Sequence, residues 1–260
     1  MNKEAKVIVI GGGHAGYEAA LASARLGVKT IMITIDKSQI GRLPCNPAVG
    51  GIAKSHLVSE IDALGGEIGR NADFTGIQYR MLNTRKGPAV QSNRIQCDKD
   101  IYPIRIQHIL KKQKNLEIIE DMVNEIKTHK GKVNYVVTRS NGIIYTNNIV
   151  ICTGTFLKGR VLIGNKSIPQ GRIGEESAEK LSKSFEEFGF NLERLKTGTP
   201  PRIHKDSVNY NVMEEQPGES PPPLFSRYAK QIRDNKIKDI MFHVEHSELI
   251  PWIPGNNQVS

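Results

Sequence analysis

The residues with the clearest chemical purpose are Gly11-Gly12-Gly13-His14-Ala15-Gly16, close to the start of the chain. A glycine at the first position permits a tight strand-to-helix turn, and one at the third lets backbone amides approach a pyrophosphate. One at the sixth lets the helix pack closely on its strand. The helix amino terminus then presents amides without intrahelical partners to the phosphates. This spacing points to dinucleotide binding by Gly11, Gly12, Gly13, His14, Ala15 and Gly16. Such sites hold a ribose hydroxyl with an acidic residue at the end of the second strand. Here that position is Thr34, with Asp36 two residues later. A threonine hydroxyl also accepts or donates, so both stay open as the ribose contact.

Other reactive residues form no comparable pattern. Cys45, Cys97 and Cys152 lie far apart with no Cys-x-x-Cys pair, which encodes neither a disulfide framework nor a dithiol centre. Cys97 and Cys152 read as structural, the latter inside an apolar run where a small thiol packs well. His243 and His246 are three residues apart without further ligands, so no metal site is expected. Arg80, Arg85, Lys86 and Arg94 read either as part of a phosphate-binding face or as scattered solvated charge.

The elements that must position the glycine loop are legible around it. Ala5 to Ile10 is a β-branched run that enters the loop, and the alanine-rich stretch Tyr17 to Leu26 favours helix. Gly27 stops that helix, and Val28 to Ile35 suits a buried parallel strand. The first 35 residues thus form one βαβ unit. A glycine- and proline-punctuated loop, Gly41 to Gly51, leads to an expected helix over Ile52 to Leu64 with Ile52, His56, Ser59 and Ala63 along one side. Residues 98 to 113 predict another helix, with Pro103 tolerable in its first turn. Glu117 to Ile126, Lys132 to Arg139 and Ile143 to Tyr145 predict a β-meander, separated by turn sequences at His129-Lys130-Gly131 and Ser140-Asn141-Gly142. Ile149 to Cys152 predicts a buried strand ending at Thr153-Gly154. A polar helix over 175 to 188 and a strand over 191 to 196 follow. Prolines 200, 201, 217, 221, 222 and 223 make residues 197 to 225 mostly extended loop.

Composition sets the outer bounds. With 260 residues, 38% hydrophobic and 24% charged, the chain buries enough apolar surface to fold as one large or two modest domains. No apolar run approaches the roughly 20 residues of a spanning helix, and Val7 to Ile10 is too short for a signal peptide; a cytoplasmic, membrane-free protein is expected. A formal charge of +9 favours a polyanionic partner, since clustered Lys and Arg release counterions from phosphates.

Two resemblances sharpen this reading. The strand ending in Thr153-Gly154 after a meander resembles the second nucleotide-proximal motif of two-domain flavoproteins, which favours FAD over NAD in the glycine loop. Four further blocks resemble the MnmG (GidA) family of transfer RNA modification enzymes: Leu43-Pro44-Cys45-Asn46-Pro47-Ala48-Val49-Gly50-Gly51, His56 to Gly66, Leu82-Asn83-Thr84-Arg85-Lys86-Gly87-Pro88-Ala89-Val90, and Lys196-Thr197-Gly198-Thr199-Pro200-Pro201-Arg202. They span most of the chain and are jointly far more specific than the glycine loop.

The resemblance implies an α/β fold, a Rossmann-like FAD-binding domain with a β-meander plus the beginning of an inserted nicotinamide-binding domain. It implies that residues 1–196 form an incomplete FAD-binding domain and residues 197–260 the start of the insert, because family members are more than twice as long. It further implies an FAD-dependent enzyme that, with the GTPase MnmE, places an aminomethyl or carboxymethylaminomethyl group on carbon 5 of the wobble uridine of tRNA. NADH would serve as reductant, methylene-tetrahydrofolate as one-carbon donor, and a homodimer as the working form. Carried onto this sequence, Val123, Gly154 and Ser177 join the glycine loop as cofactor contacts, and Cys45 becomes the catalytic candidate. A Cys45 thiolate attacking carbon 6 of the pyrimidine would activate carbon 5. Packing between Pro44 and Pro47 is the competing role for this thiol. The alternatives are an inactive FAD-binding fragment, a generic FAD-dependent oxidoreductase, or a folate-dependent tRNA methyltransferase.

Overall fold

The structure is a computed structural model that describes residues 3–196, 198, 201 and 203–234. His243 and His246 lie outside the described residues, as does most of the block after Lys196. In chain order the elements begin with β1 (Lys3–Glu4), β2 (Val7–Ile10), α1 (His14–Arg25), β3 (Thr30–Thr34), β4 (Ala48–Gly50), α2 (Ser55–Ala63), α3 (Ile68–Thr75), β5 (Gly76–Leu82), β6 (Ser92–Cys97) and α4 (Ile101–Lys112). They continue with β7 (Leu116–Glu120), β8 (Val123–His129), β9 (Lys132–Thr138), β10 (Ile143–Tyr145), β11 (Ile149–Ile151), β12 (Val161–Ile163), β13 (Lys166–Ile168), β14 (Gln170–Arg172), β15 (Glu175–Glu176), α5 (Leu181–Glu187) and α6 (Arg227–Arg233). The chain divides into two compact units, Met1–Gly41 with Gln107–Leu195, and Arg42–Ile106 with Lys196–Ser260.

The first unit is built on a four-stranded sheet in the order β11-β2-β3-β7, every neighbour pair parallel. Counted along the chain the order is fourth, first, second, third, the arrangement of a dinucleotide-binding sheet. Ile8 and Ile10 of β2 and Ile31 and Ile33 of β3 point to one face, where they join Ile126, Val136 and Ile144 of a second sheet, β1-β10-β9-β8. Val9 and Met32 point to the other face, which α1 covers with buried Tyr17, Ala20, Leu21 and Ala24. Burial on both faces explains why β2 and β3 carry unbroken apolar runs rather than alternation. Each fully buried aliphatic or aromatic side chain adds about 1.5–3 kcal/mol. On the meander side, α5 brings Leu181 into the same core and Ser184 Oγ accepts the Ile126 amide at 3.1 Å.

The second unit holds a three-stranded antiparallel sheet in the order β4-β6-β5. Val49, Tyr79 and Ile95 lie buried on one face, with Val58 of α2, Ala72 and Phe74 of α3, and Leu224, Phe225 and Ala229 filling the same unit's core. Asp73 fastens the chain after the prolines to α3, because its two carboxyl oxygens accept the amides of Phe225 at 2.9 Å and Ser226 at 2.6 Å, and burial pushes this carboxyl up to about 8.

Several expectations shift in detail. The stretch from Glu117 to Ile126 is two strands: β7 completes the parallel sheet and β8 opens the meander, with Asp121 and Met122 between them. The helix expected from Ile52 starts at Ser55, after Ala53 with φ of 60°. It buries Ser55 and Val58, while Ile52, His56, Ser59 and Ala63 stay exposed. The packed face is chosen by α3 and the β4-β6 sheet, which no spacing within α2 reveals. Residues 191 to 196 form no strand, and the helix expected over 175 to 188 shortens to α5 because Glu175 and Glu176 pair with β14.

Candidate functional site

The carboxyl ends of the parallel strands gather the predicted cofactor residues of the first unit. The glycine loop follows β2, Thr34 ends β3, Asp121 to Val123 follow β7, and Cys152 to Gly154 follow β11. This is the end at which open α/β sheets bind ligands, and β2 beside β11 is the point where the strand order reverses.

The loop glycines differ in what surrounds them. Gly11 has φ of 114°, and a Cβ there would overlap the carbonyl oxygen of Cys152. A Cβ on Gly16 would overlap the carbonyl oxygen of Gly11, so the first turn of α1 sits directly on the corner. Gly12 faces Thr34, whose Oγ1 lies 2.8 Å from where its Cβ would be. Gly13, the residue that caps α1, has nothing within 4 Å of that position. Two glycines are thus demanded by protein packing, and one borders open space at the amino end of a 12-residue helix with no acidic side chain in its first turn. That combination suits an anionic group held by backbone amides and the helix dipole.

His14 opens the helix and is half-buried. Its imidazole is pushed down to about 4, first by burial and then by the positive charge of Arg172. It stays neutral at pH 7, so one ring nitrogen is able to donate and the other to accept. Arg172 lies over the Phe156 ring at 5.1 Å and was not singled out in the sequence. Only the hairpin of β14 and β15 brings it towards a histidine 158 positions earlier.

The two candidate ribose contacts are held differently. Thr34 Oγ1 donates to the carbonyl of Asp36 at 3.3 Å and borders the glycine corner. Asp36 Oδ1 accepts the Ser38 amide at 2.7 Å, capping a short turn at Lys37–Gln39. Val123 is buried and starts β8. Its position is fixed by Asp121, a residue that sequence reasoning missed. The Asp121 carboxylate accepts the amides of Met122, Ser140 and Asn141 and the Asn141 side chain, at 2.7–3.2 Å. Burial alone would raise its carboxyl, but these bonds win and bring it to about 2. Asn141 was visible as a turn residue; its partner 20 residues back was not.

Ser177 is tied to the short turn that Gly154 opens. Gly154 opens a short 3-10 turn, Gly154–Phe156, with φ of 52° and nothing within 4 Å of a Cβ. Ser177 is buried, and its Oγ donates to the Phe156 carbonyl at 3.1 Å. Arg139 grips the neighbouring Glu176 with two bonds, at 2.7 and 2.9 Å.

Cys45 belongs to the second unit, on the irregular segment before β4, and is exposed. Cys97 is buried, its thiol pushed up to about 12 chiefly by burial, and Cys152 is raised for the same reason. Among the described residues no group of three or more His, Cys, Asp or Glu is placed to hold a metal ion, and no helix is long and apolar enough to cross a membrane.

Comparison with known proteins places these features in context. A profile of the family described as "Glucose inhibited division protein A" matches residues 6–251. The tRNA uridine 5-carboxymethylaminomethyl modification enzyme MnmG of Sulfurihydrogenibium sp. is 52% identical over 229 residues, covering 87% of this chain and 37% of that protein. The Aquifex aeolicus enzyme of the same name is 49% identical over 231 residues, covering 88% and 37%. The form I crystal structure of Aquifex aeolicus GidA superposes with a TM-score of 0.83 at 50% identity, over 86% of this chain and 37% of that one. A GidA-related protein from Thermus thermophilus, at 18% identity and a TM-score of 0.53 over 73% of this chain and 71% of that one, shares the fold. The chain spans about 37% of the length of the MnmG relatives it matches here. With the glycine corner on a parallel sheet and a profile match across residues 6–251, the chain belongs to the glucose inhibited division protein A (GidA) family.

Proposed function

We propose that this chain is the FAD-binding part of an enzyme that adds a carboxymethylaminomethyl or aminomethyl group to carbon 5 of the wobble uridine of tRNA. The observation that carries the reading is the open Gly13 position at the amino end of α1, in a chain whose relatives are named for that modification. The amides of Gly12 to Gly16 would hold the pyrophosphate, Thr34 would meet the ribose, and Val123, Gly154 and Ser177 would line the rest of the cofactor site. Bound there, FAD supplies the redox chemistry of the reaction.

The remaining roles fall to the chain's own groups. Cys45 Sγ, as thiolate, forms a bond to carbon 6 of the uracil, and the electron pair of the 5,6 double bond moves to carbon 5. Once carbon 5 carries the new one-carbon unit, its proton leaves and the sulfur–carbon 6 bond breaks, restoring the double bond. The exposure of Cys45 supports this role, because a macromolecular substrate must reach the sulfur. In the same reading NADH is the reductant, methylene-tetrahydrofolate the one-carbon donor, MnmE the partner GTPase, and a cytoplasmic homodimer the working assembly. Residues 1–196 would serve the flavin and residues 197–260 would begin a nicotinamide-binding insert. Since the chain spans 37% of its relatives, a second reading is that on its own it binds flavin without turning over.

A chimera tests the reading: this sequence replaces the matching amino-terminal part of the Aquifex aeolicus relative, in cells lacking the modification. We expect bound flavin and modified wobble uridine by mass spectrometry of digested tRNA. Cys45→Ser should keep the flavin and abolish the modification; unchanged modification would remove Cys45 from the chemistry.

A further inference from the structure

A dinucleotide brings a negative charge on each phosphate of its diphosphate to the corner after β2. The corner itself carries little charge to meet them. Gly11, Gly12, Gly13, Ala15 and Gly16 are uncharged and His14 is neutral at pH 7. The amino end of α1 offers about half a positive charge. Full compensation of the diphosphate therefore takes a cationic side chain from another part of the same unit.

Arg172 is placed to be that cation. Its positive charge acts on His14, the first residue of α1. The turn that follows β11 holds it there. The Phe156 carbonyl accepts the Ala178 amide at 2.8 Å, and the Lys158 amide donates back to the Ala178 carbonyl at 3.1 Å. The Phe156 ring then lies beneath the Arg172 guanidinium, 5.1 Å from it. A Cβ on Gly171 would overlap that ring, and one on Gly159 would overlap the carbonyl oxygen of Thr155 and crowd that of Gln170. β14 is thus packed on the turn as closely as glycine allows, and the ring fixes where the guanidinium sits.

In the protein alone this placement is unfavourable. A cation near a helix amino terminus opposes the macrodipole. Glu175 Oε2 lies 3.6 Å from Arg172 Nη1, outside the roughly 2.7–2.9 Å of a charge-assisted hydrogen bond. The Arg172 side chain keeps 29% of its surface exposed, so a ligand can reach its donors.

We infer that Arg172 binds the diphosphate of the cofactor, adding the charge that the glycine corner lacks and favouring a diphosphate-linked nucleotide over an uncharged nucleoside. The inference rests on the proposed flavin site and adds to it a residue from the β14–β15 hairpin. The competing role for Arg172 is to hold that hairpin through Glu175 and Phe156.

The test is calorimetric titration of the 260-residue chain with FAD, ADP-ribose and adenosine. ADP-ribose keeps the diphosphate without the flavin, and adenosine has neither. Arg172→Gln is expected to weaken FAD and ADP-ribose about tenfold or more, the loss of a charged hydrogen-bonding partner, with adenosine changed by less than about twofold. Arg172→Lys should fall between Gln and the parent, because lysine keeps the charge without the planar fork. Added salt should weaken ADP-ribose binding more in the parent than in Arg172→Gln, since screening acts on the charge pair. Glu175→Gln should bind ADP-ribose no more weakly than the parent. Circular dichroism reports folding of each variant. Should Arg172→Gln unfold, the comparison passes to Arg172→Lys, where a loss for ADP-ribose but not adenosine supports the proposal.

Parent affinity for ADP-ribose in the folded arginine variants would overturn it. So would an equal loss for adenosine, or the same loss in Glu175→Gln, either of which would mark a residue that only holds the hairpin. A loss for FAD with ADP-ribose unaffected would overturn it too, because the contact would then be to the flavin. The flavin reading fails separately: Arg172-dependent binding of ADP-ribose by a chain that takes up no FAD sinks only that reading. A parent chain that binds neither FAD nor ADP-ribose sinks both.

Discussion

Residue by residue, the glycine corner is where sequence and structure correspond most closely. The roles that the spacing assigns to Gly11 and Gly16 reappear as backbone approaches that leave no room for a Cβ. Gly11→Ala forces a side chain into φ of 114° and against Cys152. We expect a loss of at least 1–3 kcal/mol from strain, measurable as a lower urea midpoint. His14 supplies a second prediction. Its folded value is about 4 against 6.5 unfolded, so between these values the unfolded chain holds a proton that the folded chain does not. The His14 contribution to stability is therefore expected to fall as pH drops from about 6.5 towards 4, by about 3 kcal/mol. Asp73, raised to about 8 by burial, titrates with the opposite sign between 8 and 4. The His14 contribution is therefore read as the urea midpoint of the chain minus that of His14→Gln, a difference that should grow from pH 4 to 6.5. The shift was illegible in the sequence because burial, its main cause, exists only in the folded chain, and Arg172, which adds to it, comes from a distant hairpin. Asp121 stayed hidden for the same reason, since its partners arrive through the Ser140-Asn141 turn.

Among the elements, regular strands with buried apolar runs were readable and their partners were not. β2, β3, β11 and the meander emerged from composition and turn residues. The split of 117 to 126 between two sheets did not, because β7 and β8 are both apolar-rich and only sheet pairing tells them apart. α3, β5 and β6 escaped notice altogether. α3 buries Asn71, Asp73 and Thr75, polar residues that hide a helix from hydrophobic periodicity. Asp73 shows what such burial does. It accepts two buried amides from residues over 150 positions away, so Asp73→Ala leaves both without an acceptor. The expected cost is about 2–5 kcal/mol, together with faster amide exchange at Phe225 and Ser226. Unchanged exchange there would show that the Asp73 side chain does not hold the segment.

For the molecule as a whole, the sequence named the fold class and the family, and the two-unit division is a feature of the folded chain. Residues 42–106 leave the first unit's sequence, which resumes after them, an excursion that no composition shift marks. The charge of +9 likewise says nothing of where basic residues meet, since Arg80 and Arg94 become partners only once β5 and β6 align. The central claim concerns the corner after β2, where amides at the start of α1 grasp a diphosphate. The most direct measurement is a calorimetric titration of FAD into the chain and into Gly13→Ala, with circular dichroism on both. Because nothing lies within 4 Å of a Gly13 Cβ, the variant is expected to fold like the parent while losing FAD affinity at least tenfold. Equal affinity in the two proteins, or no uptake of FAD by the parent, would contradict the account.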